Sequence, residues 1–103
     1  MDAACNDIAA HNQTAVALQQ GRHYDTAQLD KICERVNAII HDTVAAHLRD
    51  GKRVGLLGGD HSVSYGSIRA HLERYPDLGV LQIDAHCDLR PGLDGVRYSH
   101  ASI

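Results

Sequence analysis

Residues 78–88, "LGVLQIDAHCD", decide how the rest of the chain is read. Leu78 to Asp84 are almost continuously apolar, the pattern of a short strand covered on both faces. Just upstream, Pro76 closes a helical segment spanning 62–74, with Tyr65, Ile68, Leu72 and Tyr75 spaced to fall on one face. Before that helix, "RVGLL" (53–57) reads as a second short buried strand, ended by Gly58 and Gly59. Further back, "HYDTAQLDKICERVNAIIHDTVAAHLRDG" (23–51) carries Leu29, Ile32, Val36, Ile39, Ile40 and Val44 at three- and four-residue steps, one stripe of an amphipathic helix. Asp25 or Thr26 can cap its start, and Gly51 lies where a left-handed stop is expected. Residues 12–20 are expected to add a short helix. Helix, strand, helix, strand predicts a right-handed crossover and a parallel sheet flanked by helices, an α/β fold.

Composition limits the function. At 103 residues the chain fits one small domain spanning 1–103, with no internal repeat, low-complexity segment or linker. An apolar fraction of 44% and a charged fraction of 22% are those of a soluble globular protein. A formal net charge of −3, with no block of like charges, gives no reason to expect nucleic acid or a membrane surface as partner. No apolar run approaches the roughly 18 to 20 residues that cross a bilayer. The opening "MDAACNDIAAHNQ" lacks the basic and apolar regions of a signal peptide. Cys5, Cys33 and Cys87 are an odd number at spacings that suggest no disulfide framework, so a reducing cytoplasm is expected.

In open α/β sheets, ligands bind beyond the carboxyl ends of the strands. "GGDHS" (58–62) follows the first expected strand and "DAHCD" (84–88) ends the second, so His61 should approach Asp84, His86 and Asp88. If extended geometry continues through the second motif, Asp84, His86 and Asp88 point one way and Ala85 and Cys87 the other. Carboxylates with imidazole and no converging thiolate suit Mn²⁺, with Zn²⁺, Fe²⁺ or Co²⁺ as other occupants. A metal pair needs a bridging carboxylate, and Asp84 is placed to be one. Taken singly, "DAHCD" also reads as a solvated strand end, and "GGDHS" as a turn in which Asp60 caps the next helix. Paired at neighbouring strand ends, they favour a metal.

With "YSHAS" (98–102), these motifs resemble, in order and approximate spacing, the first three motifs of the ureohydrolases, the family of arginase and agmatinase. The resemblance covers Gly51 to the C-terminus and extends to the long helix before it. It implies an arginase-like three-layer α/β/α fold, two Mn²⁺ ions, a small guanidino substrate and a homo-oligomer at full length. His61 and Asp88 would ligate one ion, His86 the other, and Asp84 would bridge them. Asp88 and His100 would be the catalytic pair, His100 assisting proton transfer near the substrate. Asp60 would support the ligands, and Gly58 and Gly59 would allow close backbone approach. The implied reaction is attack of a metal-activated hydroxide on the guanidinium carbon, followed by protonation and departure of the amine, releasing urea. The stretch "LRPGLDGVRYSHAS" (89–102) looks more like agmatinase-type members than arginases, which places agmatine first among substrates. Arg90 and Arg97 keep an acidic substrate such as guanidinobutyrate or formiminoglutamate in view.

The family also has a later Ser-x-Asp-x-Asp motif that completes the metal site, and the chain ends at Ile103 before any such motif. The expectation is therefore an incomplete domain whose parent is the enzyme, with this chain alone a poor catalyst. A non-catalytic metal-binding module is the rival reading. A phosphate-cradling turn at "GLLGGDHS" is disfavoured, because neither glycine fingerprint is present and Asp60 would repel phosphate. His41 and His47 are expected on the helix surface, and His11, His23 and His71 without a nameable partner. Cys87 is expected to pack behind the site and Tyr98 to pack against a neighbour. Ser99 and Ser102 beside His100 make no triad.

Overall fold

Helix α2 (Thr26–Arg49) organises the molecule, packing against both α1 (Ala3–Gln19) and α3 (Ser64–Arg74). The computed structural model describes residues 3–19 and 25–103; the expectations at Gln20 and His23 lie outside them. Asp25 caps α2, its carboxylate accepting the N–H groups of Ala27 at 2.9 Å and Gln28 at 3.3 Å. At the other end Gly51 has φ 73°, and the N–H groups of Gly51 and Lys52 donate to the carbonyls of Leu48 and His47. That paired closure is a Schellman ending, which a glycine in the left-handed region permits. Helix α1 runs well beyond the expected short helix at 12–20.

The stripe on α2 packs as its spacing predicts. Ile40, Val44 and Leu48 form the core with Ala70 of α3, and Ile8, Val36, Ala45, Val54 and Val63 pack around them. Helix α3 buries a different face from the expected one. Gly66 and Ala70 meet α2, while Leu72 and Tyr75 remain 38% and 45% exposed. The reason is the closeness of the two helices. A Cβ on Gly66 would collide with the carbonyl oxygen of Asn37 and come within 3.1 Å of the His41 nitrogen and of Ile40 Cβ. Only the smallest side chains fit there.

The expected strands at 53–57 and 78–84 require correction: neither joins a ladder, and no strand occurs among the described residues. Leu57, Leu81 and Ile83 are exposed at 102%, 85% and 92%. A strand of this composition is stable only when both faces are covered and its edges are paired, and two short parallel strands cannot supply that for each other. Here α2 and α3 turn their buried faces to one another. The only β pairing among the described residues is two isolated antiparallel bridges, Leu89 with Ser102 and Leu93 with Val96. No helix among the described residues is long and apolar enough to cross a membrane.

His41 is less peripheral than its sequence position suggests. Its Nε2 lies 2.9 Å from Glu73 Oε2 across the α2–α3 interface, and its Nδ1 lies 3.0 Å from Asp42 Oδ1. The Asp42 hydrogen bond, then that to Glu73, holds the imidazole pKa above its ordinary value, and His41 in turn lowers that of Glu73. A raised imidazole pKa adds stability that is complete below its ordinary value near 6.5 and fades as pH rises through the folded value. A lowered carboxylate pKa adds stability above its ordinary value near 4.3, lost as pH falls through the folded value. The clasp should therefore stabilise most between about pH 4.3 and 6.5. Urea-unfolding midpoints measured from pH 5 to 9 should fall on the alkaline side, and His41→Gln should flatten that fall. An identical alkaline fall in the variant would remove His41 as its cause.

Candidate metal centre

The first part of the site is a turn. After Gly58 and Gly59, the Asp60 carboxylate accepts the Ser62 N–H at 2.9 Å and caps a 3₁₀ turn at His61–Val63 that leads into α3. A Cβ on Gly58 would stand 2.8 Å from Val63 Cγ2, so a larger residue there would require the Val63 side chain to shift. The cap fixes the backbone around His61. From there its Nδ1 shares a 2.8 Å hydrogen bond with Asp88 Oδ2, between residues 27 positions apart in sequence.

The second part is the "DAHCD" segment, and it does not run extended. Asp84 Oδ1 accepts the His86 N–H at 2.9 Å, an Asx turn that bends residues 84–86. Asp88 takes φ 51°, a left-handed conformation that aspartate tolerates better than most residues. Strict alternation of faces therefore fails here. Asp84 and Asp88 still converge with His61, one ligand atom from each lying within 4.8 Å of the others. His86 stands outside that set, its side chain 82% exposed and its Nδ1 3.6 Å from Asp84 Oδ1. The His86 N–H hydrogen bond, followed by proximity to His61 and His86, holds the Asp84 carboxyl below the usual carboxylate range.

Cys87, expected behind the site, is exposed instead, a consequence of the same bend. His100 sits on the 97–102 turn with Nδ1 4.0 Å from Asp60 Oδ2, close to the "GGDHS" turn but apart from the three converging side chains. Tyr98 packs as expected, edge-on against Tyr65 with ring centroids 5.5 Å apart. His11 and His71, expected without partners, each place Nδ1 within hydrogen-bonding distance of the carbonyl one helical turn earlier, at Asp7 and Ser67.

Gln82 was not singled out in the sequence. Its Nε2 donates to the His86 carbonyl at 3.0 Å and to Asp88 Oδ2 at 3.4 Å, tying the bend together. The signal was available: Gln82 is the one polar residue in an apolar run, two positions before Asp84.

The donors suit a cation. One imidazole nitrogen and two carboxylate oxygens, with no thiolate among them, form a set that a hard or borderline divalent ion accepts. Asp84 is the carboxylate common to both groupings, belonging to the converging three and neighbouring His86.

Comparison with known proteins places the sequence in a family. The sequence model of the arginase family matches residues 3–103, and the chain belongs to that family. An N(1)-aminopropylagmatine ureohydrolase of Thermus thermophilus is 45% identical over 71 residues, which are 69% of this chain and 24% of that protein. An agmatinase of Bacillus subtilis is 39% identical over 64 residues, 62% of this chain and 22% of that protein. An arginase of Eremothecium gossypii is 47% identical over 51 residues, 50% of this chain and 13% of that protein. The chain thus spans about a quarter or less of the length of these relatives. No solved structure matches it significantly. Family membership carries the α/β class, and the described residues show its helices without its sheet.

Proposed function

We propose that the complete protein is a manganese-dependent ureohydrolase that cleaves a guanidino compound to urea and an amine. The observation that carries this reading is the convergence of His61, Asp84 and Asp88 from two separate turns onto one point. His61 and Asp88 would hold one ion, His86 a second, with Asp84 between them. When bound, the ions supply an acidified water that is hydroxide near neutral pH.

The remaining work falls to the chain. A guanidinium is a poor electrophile because its charge is delocalised, so both nucleophile and substrate must be held rigidly. Gln82 contributes by fixing Asp88 and the carbonyl of His86. The Asp60 cap does the same for the backbone at His61. His100, 59% exposed on its turn, is free to carry a proton to the departing amine, a role an imidazole can fill as general acid. Agmatine is the proposed substrate, supported by the look of residues 89–102 and by two relatives named for agmatine and aminopropylagmatine. Arginine is the competitor, since arginases also match.

The test uses the full-length enzyme with agmatine and arginine supplied separately. Chelation should abolish urea release, Mn²⁺ should restore it, and agmatine should turn over faster than arginine. Undiminished activity in metal-free protein would overturn the metal assignment, and faster turnover of arginine would overturn the choice of substrate.

A further inference from the structure

We propose that Asp30, on the first half of α2, is a positioning residue that sets the turn carrying His100; the proposal rests on the catalytic role just assigned to His100. The turn is braced internally. Ser102 Oγ donates to the Arg97 carbonyl at 2.6 Å and accepts the Ser99 N–H at 3.0 Å, and the Arg90 N–H donates to the Ala101 carbonyl at 3.1 Å. Such bracing gives the turn a shape but not a place relative to the helices. The place comes from Asp30, whose Oδ1 accepts the backbone N–H of Arg97 at 2.8 Å and of Tyr98 at 3.4 Å.

Two consecutive amides held by one carboxylate oxygen fix both the position and the orientation of the backbone two residues before His100. Charge makes such bonds shorter and stronger than neutral ones. The neighbouring contacts act in the same direction. Tyr98 stacks edge-on against Tyr65 of α3, and Gly95 approaches Thr26, where a Cβ would come within 3.2 Å of the methyl group. Stacking tolerates sliding, however, whereas a carboxylate bonded to two amides does not. His100 is then delivered to the side of Asp60, with 4.0 Å between Nδ1 and Oδ2.

The experiment is a double-mutant cycle in the full-length manganese-loaded enzyme, with metal content, kcat and KM measured for each variant. Asp30→Ala should lower kcat by roughly 10- to 10²-fold, the scale of a misplaced catalytic group. Metal content and KM should stay as in the parent. Asp30→Asn, whose carbonyl oxygen still accepts amide protons, should recover most of that loss. In a His100→Asn background, Asp30→Ala should cost nothing further, because a residue acting through another is not additive with it. Equal losses in both backgrounds, or an unchanged kcat in Asp30→Ala, would overturn the proposal.

Hydrogen exchange across 96–99 separates this idea from the reading it rests on. Faster exchange in Asp30→Ala is expected whatever His100 does, and unchanged exchange would refute the anchoring. If His100→Asn turns over normally, the role of His100 falls, and exchange alone decides whether Asp30 holds the turn.

Discussion

Asp84→Asn in the complete enzyme should lose bound manganese and urea-forming activity together. Asp84 belongs to the three converging side chains and also stands 3.6 Å from His86, so one substitution weakens both groupings. A carboxamide is neutral and offers a single oxygen, which makes it a weak bridge between two cations. Residues that merely orient metal ligands typically cost 10- to 100-fold in affinity or activity when replaced, so a shared ligand should exceed about 100-fold. The backbone gives an internal control. The asparagine oxygen can still accept the His86 N–H, so the bend at 84–86 should survive and the circular dichroism should match the parent. Elemental analysis after gel filtration, alongside kcat, is the measurement. Full occupancy by two metals in the variant would show that Asp84 does not bridge.

The helices were legible because their causes are local. Asp25 and Gly51 act on backbone groups within one turn of themselves, and the stripe through Ile40 and Val44 needs only the helical repeat to find its face. The buried face of α3 was not legible. Its apolar stripe, Tyr65 to Tyr75, is the signal sequence patterning rewards, yet the contact with α2 is governed by backbone approach at Gly66. Absence of a side chain leaves no hydrophobic mark. The segments at 53–57 and 78–84 failed for another reason: a strand is completed by partners, and its own composition cannot provide them.

The site divides in the same way. The pairing of "GGDHS" with "DAHCD" anticipated that His61 would approach Asp84 and Asp88, but not that His86, expected with them, would stand outside the converging three. Its local shape was not, because alternation assumes an extended chain, whereas Asp84 captures the N–H of His86 and Asp88 turns left-handed. Aspartate is both a metal ligand and a turn former, and sequence spacing alone does not say which role governs the backbone. Asp30 was invisible for a simpler reason: its partners lie 67 and 68 residues away.

His100→Asn should retain both metals while losing on the order of 10²-fold or more in kcat, the range expected for a general acid–base residue. The metal expectation follows from position: His100 lies outside the three converging side chains, with its Nδ1 4.0 Å from Asp60 Oδ2. The kinetic expectation follows from the leaving group, because an amine departs only when protonated and an imidazole can deliver that proton as general acid. Small imidazoles added to the variant should recover part of the rate by delivering the proton from solution, a route open because the His100 side chain is 59% exposed. The competing possibility is that His100 only holds its turn. Ser99 and Ser102 already brace that turn without it, their hydroxyls 2.9 Å apart and Ser102 bonded to the Arg97 carbonyl, which argues against a purely structural role. On the structural alternative the variant would bind substrate poorly, raising KM, and imidazole would change nothing. Steady-state kinetics with and without imidazole separate the two, and normal turnover in the variant would remove His100 from the reaction altogether.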